Sequence, residues 1–280
     1  MATAKTRRAA APVVAPSISP QDMKKLLHLI KNSKSIEIKV SVPMTEHQRT
    51  TLSIGLDPVE AQPRHVYFFD TPDQALNRAG LIVRARRIQG GRADTVVKLR
   101  PVDPAKIDAE LKRSDAFKVE VDAMPDGSFV CSASYKGVAT GQEVLDVTEG
   151  RMPLRSLFSK EQRSFYNAHA PAGIAMNALR IQGPILLLKA KHQPKEFNRG
   201  ITVELWLWPD GKHILEISTK CLPAEAFQTG MEFRHYLEEH GVDLGAKQET
   251  KTKTAMQKFK ADRKLHRRAG KTAEAPRRPA

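Results

Sequence analysis

Five segments of the sequence carry charged residues two positions apart with an aliphatic residue between them. Glu37 and Lys39 lie in "SIEIKVSV", Arg84 and Arg86 in "GLIVRARRI", and Lys98 and Arg100 in "DTVVKLR". Lys118, Glu120 and Asp122 lie in "FKVEVDAM", and Lys189 and Lys191 in "GPILLLKAKHQ". Glu204 in "ITVELWLW" and Glu216 in "HILEIS" occupy single positions of the same kind. Residues i and i+2 of a strand share a face, so each segment predicts a strand with one charged and one apolar side. The eight basic groups suit phosphate oxygens, Arg through bidentate hydrogen bonds and Lys as a point charge. The five carboxylates call for cations, and hard divalent ions take carboxylate and phosphate oxygens together. A triphosphate or polyphosphate chain with Mg2+ or Mn2+ meets both demands.

A solvated sheet face normally intersperses both signs, whereas several of these strands are purely basic. A barrel accounts for the pattern better, with alternate residues pointing into a lumen and an aliphatic exterior covered by helices. Burying so many charges without partners is very costly, so such a lumen is expected to be wet and to bind a ligand.

The remaining elements supply the cover. Met23, Leu26, Leu27 and Ile30 recur at helical spacing after Ser19-Pro20, and the strand "RHVYFF" follows "SIEIKVSV". "DTPDQALNRAG" predicts a helix with Thr71 as N-cap, Pro72 in the first turn, Gln74 in the capping-box position and Gly80 past the end. Gly90-Gly91 and Asp210-Gly211 mark hairpin turns, and residues 142–170 form a helical insert through Leu154, Leu157, Phe158 and Phe165. A last helix runs between Pro223 and Gly241. Tyr67, Phe68 and Phe69 are expected on the barrel exterior, and Trp206 and Trp208 under a covering helix. The expected class is α+β, a closed antiparallel β-barrel or tunnel of about eight strands covered by helices.

Much of the formal charge of +15 lies at the ends. Residues 256–280 hold nine Lys/Arg against two acids, and residues 1–19 add Lys5, Arg7 and Arg8, leaving the body only about +5. Both ends are rich in Ala and Pro and lack apolar periodicity. We therefore expect a disordered basic arm over 1–19, one folded domain over 20–255 containing the 142–170 insert, and a disordered basic tail over 256–280. The ends are expected to be solvating, with at most weak non-specific contact to nucleic acid. No run is long enough to span a membrane and the N-terminus makes a poor signal peptide, so a cytoplasmic protein is expected. Cys131 and Cys221 match no metal or redox spacing, which predicts buried thiols. The nine histidines lack zinc spacing, and there is no phosphate-cradling Gly-rich loop and no Gly-x-Ser-x-Gly elbow.

The ordered set "IEIKV", "VYFFDTPDQALNRAGLIVRARR", "DTVVKLRP", "KVEVD", "LLLKAK", "VELWLWPDG" and "LEIS", with "ETKTKT" near 250 as a late lysine segment, resembles the CYTH domains, or triphosphate tunnel metalloenzymes. The resemblance covers roughly residues 35–218. It implies a closed tunnel that hydrolyses triphosphates with Mg2+ or Mn2+, whose substrate is inorganic triphosphate or a nucleoside or thiamine triphosphate. It implies Glu37, Lys39 and Glu120 at the reacting centre, Glu37, Glu120, Asp122, Glu204 and Glu216 around metal or water, and Lys39, Arg84, Arg86, Lys98, Arg100, Lys118, Lys189 and Lys191 on phosphate. An adenylate cyclase of the same fold and a non-catalytic polyphosphate- or RNA-binding domain are the alternatives. Two positions depart from the family pattern: Ser35 stands where the first strand has another glutamate, and Ser218 where the late strand does.

Overall fold

A computed structural model of the protein describes residues 18–248, 251–252 and 254–259. The chain runs α1 (Pro20–Lys31), β1 (Ser35–Val42), α2 (His47–Ser53), β2 (Gln62–Asp70), α3 (Ala75–Arg78), β3 (Leu81–Ile88), β4 (Arg92–Leu99), α4 (Ala109–Arg113), β5 (Phe117–Ala123) and β6 (Phe129–Thr140). The insert follows as α5 (Gly141–Thr148) and α6 (Lys160–His169), then β7 (Arg180–His192), β8 (Ile201–Leu207), β9 (His213–Cys221) and α7 (Ala226–Glu239). Residues 251–252 and 254–259 are again helical.

The strands close a barrel in the order β1-β5-β6-β4-β3-β2-β7-β8-β9, with β9 returning to β1. It has nine strands, and one pair departs from the antiparallel pattern expected of the whole sheet. β1 runs parallel to β5, pairing Ser35 with Glu120 and Glu37 with Asp122. A parallel neighbour needs a long crossover, and here the segment between β1 and β5 supplies it with three strands of its own.

The aliphatic alternates cover the outside. Val83, Ala85, Val97, Val119 and Val121 are buried in one cluster with Val144 of α5 and Phe165 and Tyr166 of α6. Val40, Val203, Leu215 and Ile217 are buried in another with Phe233, Tyr236 and Leu237 of α7. The insert is thus a cover for the barrel wall. Ser159 caps α6 and makes a reciprocal capping box with Gln162. The buried Gln162 amide donates to Thr95 O at 3.3 Å and Tyr135 O at 3.2 Å. Gly137, opposite Thr95, leaves the room for this side chain, because a Cβ there would stand 2.6 Å from Gln162 Oε1.

Three local expectations are corrected. The short helix after β2 is only the four residues of α3, and its N-cap is Gln74 in a left-handed conformation rather than Thr71. The buried Asp70 carboxylate shares the capping with Thr71: it accepts from the N–H of Leu76 at 2.9 Å and Asn77 at 3.0 Å, while Thr71 Oγ1 accepts from the N–H of Ala75 at 2.8 Å. Tyr67 and Phe69 pack outward, but Phe68 lies on the lumen face with Trp206 and Trp208, as the two-residue alternation requires. Ala255 and Met256 are buried in that same cluster, so the folded part extends through the helical residues to 259 instead of stopping at 255. The rest of the expected tail, and residues 1–17 of the expected arm, lie outside the described residues. Cys131 and Cys221 are buried free thiols, as expected. Among the described residues no helix is long and apolar enough to cross a membrane.

Candidate functional site

The lumen encloses a void of about 250 Å³ whose wall is built mainly from the charged strand positions. Of the thirteen charges assigned to it from sequence, Glu37, Lys39, Arg84, Arg86, Lys98, Arg100, Glu120, Asp122, Lys189, Glu204 and Glu216 line it. Lys118 and Lys191 do not. Lys191 is exposed in a shallow groove with Thr202, Ser218 and Lys220, and Lys118, although on the face of Glu120, does not reach the void.

The two ends of the lumen differ. Side-chain exposure falls from 49% at Lys220 and 45% at Lys136 through 18% at Lys39 to 6% at Glu216, which marks an open mouth and a buried interior. Beyond Glu204 and Glu216, one alternation further along β8 and β9, the wall turns apolar. Phe68, Ile185, Leu187, Trp206, Trp208 and Ile214 pack there against Ala255 and Met256, and Gln74 ties the helical segment down by donating to Met256 O at 2.6 Å. Among the described residues these side chains line that end of the lumen.

Every lumen carboxylate has an ion-pair partner, although Asp122 Oδ2 accepts no hydrogen bond among the described residues. Lys39 lies 2.7 Å from Glu37 and 3.2 Å from Asp122, with Arg100 at 3.3 Å from the other Asp122 oxygen. Lys220 lies 2.7 Å from Glu120 and Lys136 lies 3.6 Å from it. Lys189 lies 3.1 Å from Glu204, and Lys251 is held between Glu204 and Glu216, 2.6 Å from the latter. Lys251 also sits over the Trp206 ring, whose Nε1 donates to Glu204. Arg86 makes a bidentate pair with Asp94. Burial pushes the carboxyl groups upward, but the neighbouring ammonium and guanidinium groups win. Glu120 is held at about 2 by Lys220 and Lys136, and Asp122 at about 2 by Lys39, Lys98 and Arg100. Glu204 falls well below the usual range beside Lys251 and Lys189.

Arg84 and Lys98 have no ion pair among the described residues, and Arg84 Nε is a buried donor with no acceptor. Burial, reinforced by Arg86, lowers Arg84 to about 10. Burial lowers Lys98 to about 8 despite Asp122, with Lys39 and Arg100 adding to the drop. Arg100 is positioned by its backbone: its N–H donates to Gly80 O at 2.9 Å, and a Cβ on Gly80, whose φ is +76°, would strike Arg100 O.

Lys136, Lys220 and Lys251 are lining residues that the strand pattern did not single out. Lys220 follows Glu216 and Ser218 on one face of β9, so the same alternation extended by one step finds it. Lys136 lies in "SASYKG", the part of β6 not recognised as strand, and Lys251 lies in the late "ETKTKT" segment. With them the wall holds nine basic groups against five carboxylates.

A resident divalent cation fits this donor set poorly. Such ions take six or more oxygen ligands, yet no three acidic, His or Cys side chains are grouped to hold one among the described residues. Each lumen carboxylate already faces an ammonium, and Ser35 and Ser218 supply neutral oxygens where two more charges would have been needed.

No protein-family model and no curated protein matches the chain. Among solved structures it is similar to a candidate adenylate cyclase from Bacillus halodurans, with a TM-score of 0.56, 14% identity and coverage of 79% of this chain and 97% of that one. It is also similar to a candidate adenylyl cyclase from Hippeastrum that reveals a dominant triphosphatase activity, with a TM-score of 0.56, 17% identity and coverage of 80% and 95%. At these identities the likeness is one of fold.

Proposed function

Since the chain carries the CYTH fold, we propose that its lumen binds the triphosphate group of an anionic substrate and supports hydrolysis of a phosphoanhydride bond. The observation that carries this reading is the pair of lumen cations Arg84 and Lys98, neither of which has an ion pair among the described residues, with Arg84 Nε a buried donor lacking an acceptor. Two charges kept in a low-dielectric wall without counter-ions are costly, and phosphate oxygens between them would remove that cost. Lys39 and Arg100 flank the same space and can turn from Asp122 toward a ligand. Phosphoryl transfer asks a protein mainly for positioning and for stabilisation of charge on the phosphate oxygens, which a fixed Lys/Arg wall provides. Glu37 and Glu120, ionised beside lysines, can orient a water.

One observation favours a second reading, a triphosphate binder without turnover: the Ser35 and Ser218 positions leave the wall poor in carboxylates. Phosphate release from tripolyphosphate and from ATP, followed across Mg2+ and Mn2+ titrations with Glu37→Gln as control, separates the two. Release lost in the variant supports turnover. Tight binding without release supports the binder, and cyclic AMP formation from ATP would instead support a cyclase. Unchanged triphosphate affinity in Arg84→Ala would refute both lumen readings.

A further inference from the structure

The mouth of the lumen holds its own cation. On β9 the lumen-facing positions run Glu216, Ser218, Lys220, and Lys220 is the cross-strand partner of Glu37. Its ammonium lies 2.7 Å from Glu120 Oε1 and 3.9 Å from Glu37 Oε1, so it occupies the space between carboxylates from two neighbouring strands. Ser35, beside Glu37 on β1, donates to Glu120 at 3.4 Å. Around the same two carboxylates stand Lys39, 2.7 Å from Glu37, and Lys136, 3.6 Å from Glu120.

A divalent ion seeking Glu37 and Glu120 would therefore have to displace one ammonium and sit beside two more. The repulsion among those charges in a partly buried site works against it. Glutamates at 35 and 218 would have reversed that balance. With serines there, three lysines face two carboxylates, and the mouth is positive without any metal.

We propose that Lys220 acts as a tethered cation at the mouth of the lumen, so that a linear phosphate chain free of divalent metal is the form the site accepts. This rests on the triphosphate reading above and narrows its substrate class to the uncomplexed polyphosphate anion. The half-exposed Lys220 side chain can swing from Glu120 to a phosphate oxygen while Lys136 stays beside Glu120, so the carboxylate is not stranded when the ligand enters. An ammonium supplies a single mobile charge with three donors, enough to hold a phosphate but with none of the fixed geometry of an ion. Lys220 is a binding residue in this proposal, with no part in moving a proton or breaking a bond.

The test is isothermal titration of the full chain with tripolyphosphate at fixed ionic strength, once in excess EDTA and once with Mg2+. The wild-type dissociation constant should agree within about threefold between the two conditions. Lys220→Ala and Lys220→Met, the second keeping most of the side-chain stem, should each bind about tenfold more weakly in EDTA and regain part of that loss with Mg2+. The proposal is overturned if the wild type loses tenfold or more in EDTA, or if both variants bind like the wild type there. Arg84→Ala separates the layers of the argument. Magnesium-dependent binding that Arg84→Ala abolishes removes the tethered cation and leaves the triphosphate reading standing. Absence of binding in both conditions, or binding indifferent to Arg84→Ala, removes both.

Discussion

The mouth and the inner end of the lumen use one arrangement, an ammonium between two carboxylates, in different surroundings. At the mouth Lys220 bridges Glu120 and Glu37 with half its side chain in solvent. At the inner end Lys251 bridges Glu204 and Glu216, is 14% exposed and lies over Trp206. Water screens the first and leaves it exchangeable. The second is largely desolvated, so its partners cannot be separated without stranding charge. The same wall carries Arg84 and Lys98, two cations with no ion pair among the described residues. The comparison assigns three roles along one wall: an exchangeable entrance, an unsatisfied pair that a ligand can complete, and an inner end held by structure.

The largest test of that division is at the inner end. Lys251→Met leaves two buried carboxylates facing each other and should lower unfolding free energy by about 3–5 kcal/mol, read from the denaturant midpoint at constant m-value. A change below about 1 kcal/mol would mean that the inner pair is as exchangeable as the outer one. Next, Arg84→Ala and Lys98→Ala should each weaken tripolyphosphate binding by tenfold or more in calorimetry. Lys98→Met should at the same time stabilise the ligand-free protein by about 1 kcal/mol, because it removes an unpaired charge from a buried position. Loss of stability in that variant would show Lys98 to be a structural partner like Lys251.

Two pH effects sharpen the contrast. Lys98, lowered to about 8 in the fold, binds fewer protons folded than unfolded between about 8 and the ordinary lysine value of 10.5. Its burden on stability is therefore full below pH 8 and is relieved as pH rises toward 10.5, while triphosphate affinity falls over the same rise because the charge is lost. Lys98→Arg should flatten the affinity profile; an unaltered profile would remove Lys98 from the ligand. Glu120 and Asp122, held at about 2, work in the other direction. Their contribution is present above the ordinary carboxylate range of 3.8–4.5 and is lost as pH falls toward 2, so thermal midpoints should drop across that interval. The smallest effect is expected at the mouth, where Lys220→Ala should cost less than about 1 kcal/mol of stability whatever it does to binding.

Much of the wall was legible in the residues. Eleven of the thirteen charges assigned to the lumen line it, because strand alternation is set by the pleat of the backbone alone. Of the two that miss, Lys191 shares the lumen-facing alternation of β7 with Lys189 but lies in a separate groove, since period two says nothing of how far along the axis a residue sits. A run of three aromatics cannot lie on one side of a strand, so Phe68 faces the lumen while Tyr67 and Phe69 face away from it. Thr71 supplies only part of the cap of α3, because the Asp70 carboxylate reaches N–H groups six and seven residues ahead, which no capping-box spacing describes.

The sequence by itself determined which side chains face in and which face out, since that choice is made within each strand by local geometry. Only the tertiary structure decided that β1 closes the barrel in parallel with β5, that Met256 packs at one end, and that Lys220 and Lys251 take the places between carboxylates. Those outcomes depend on groups brought together from far apart in the chain, and the energy of each charge is set by the partners and the dielectric it meets there.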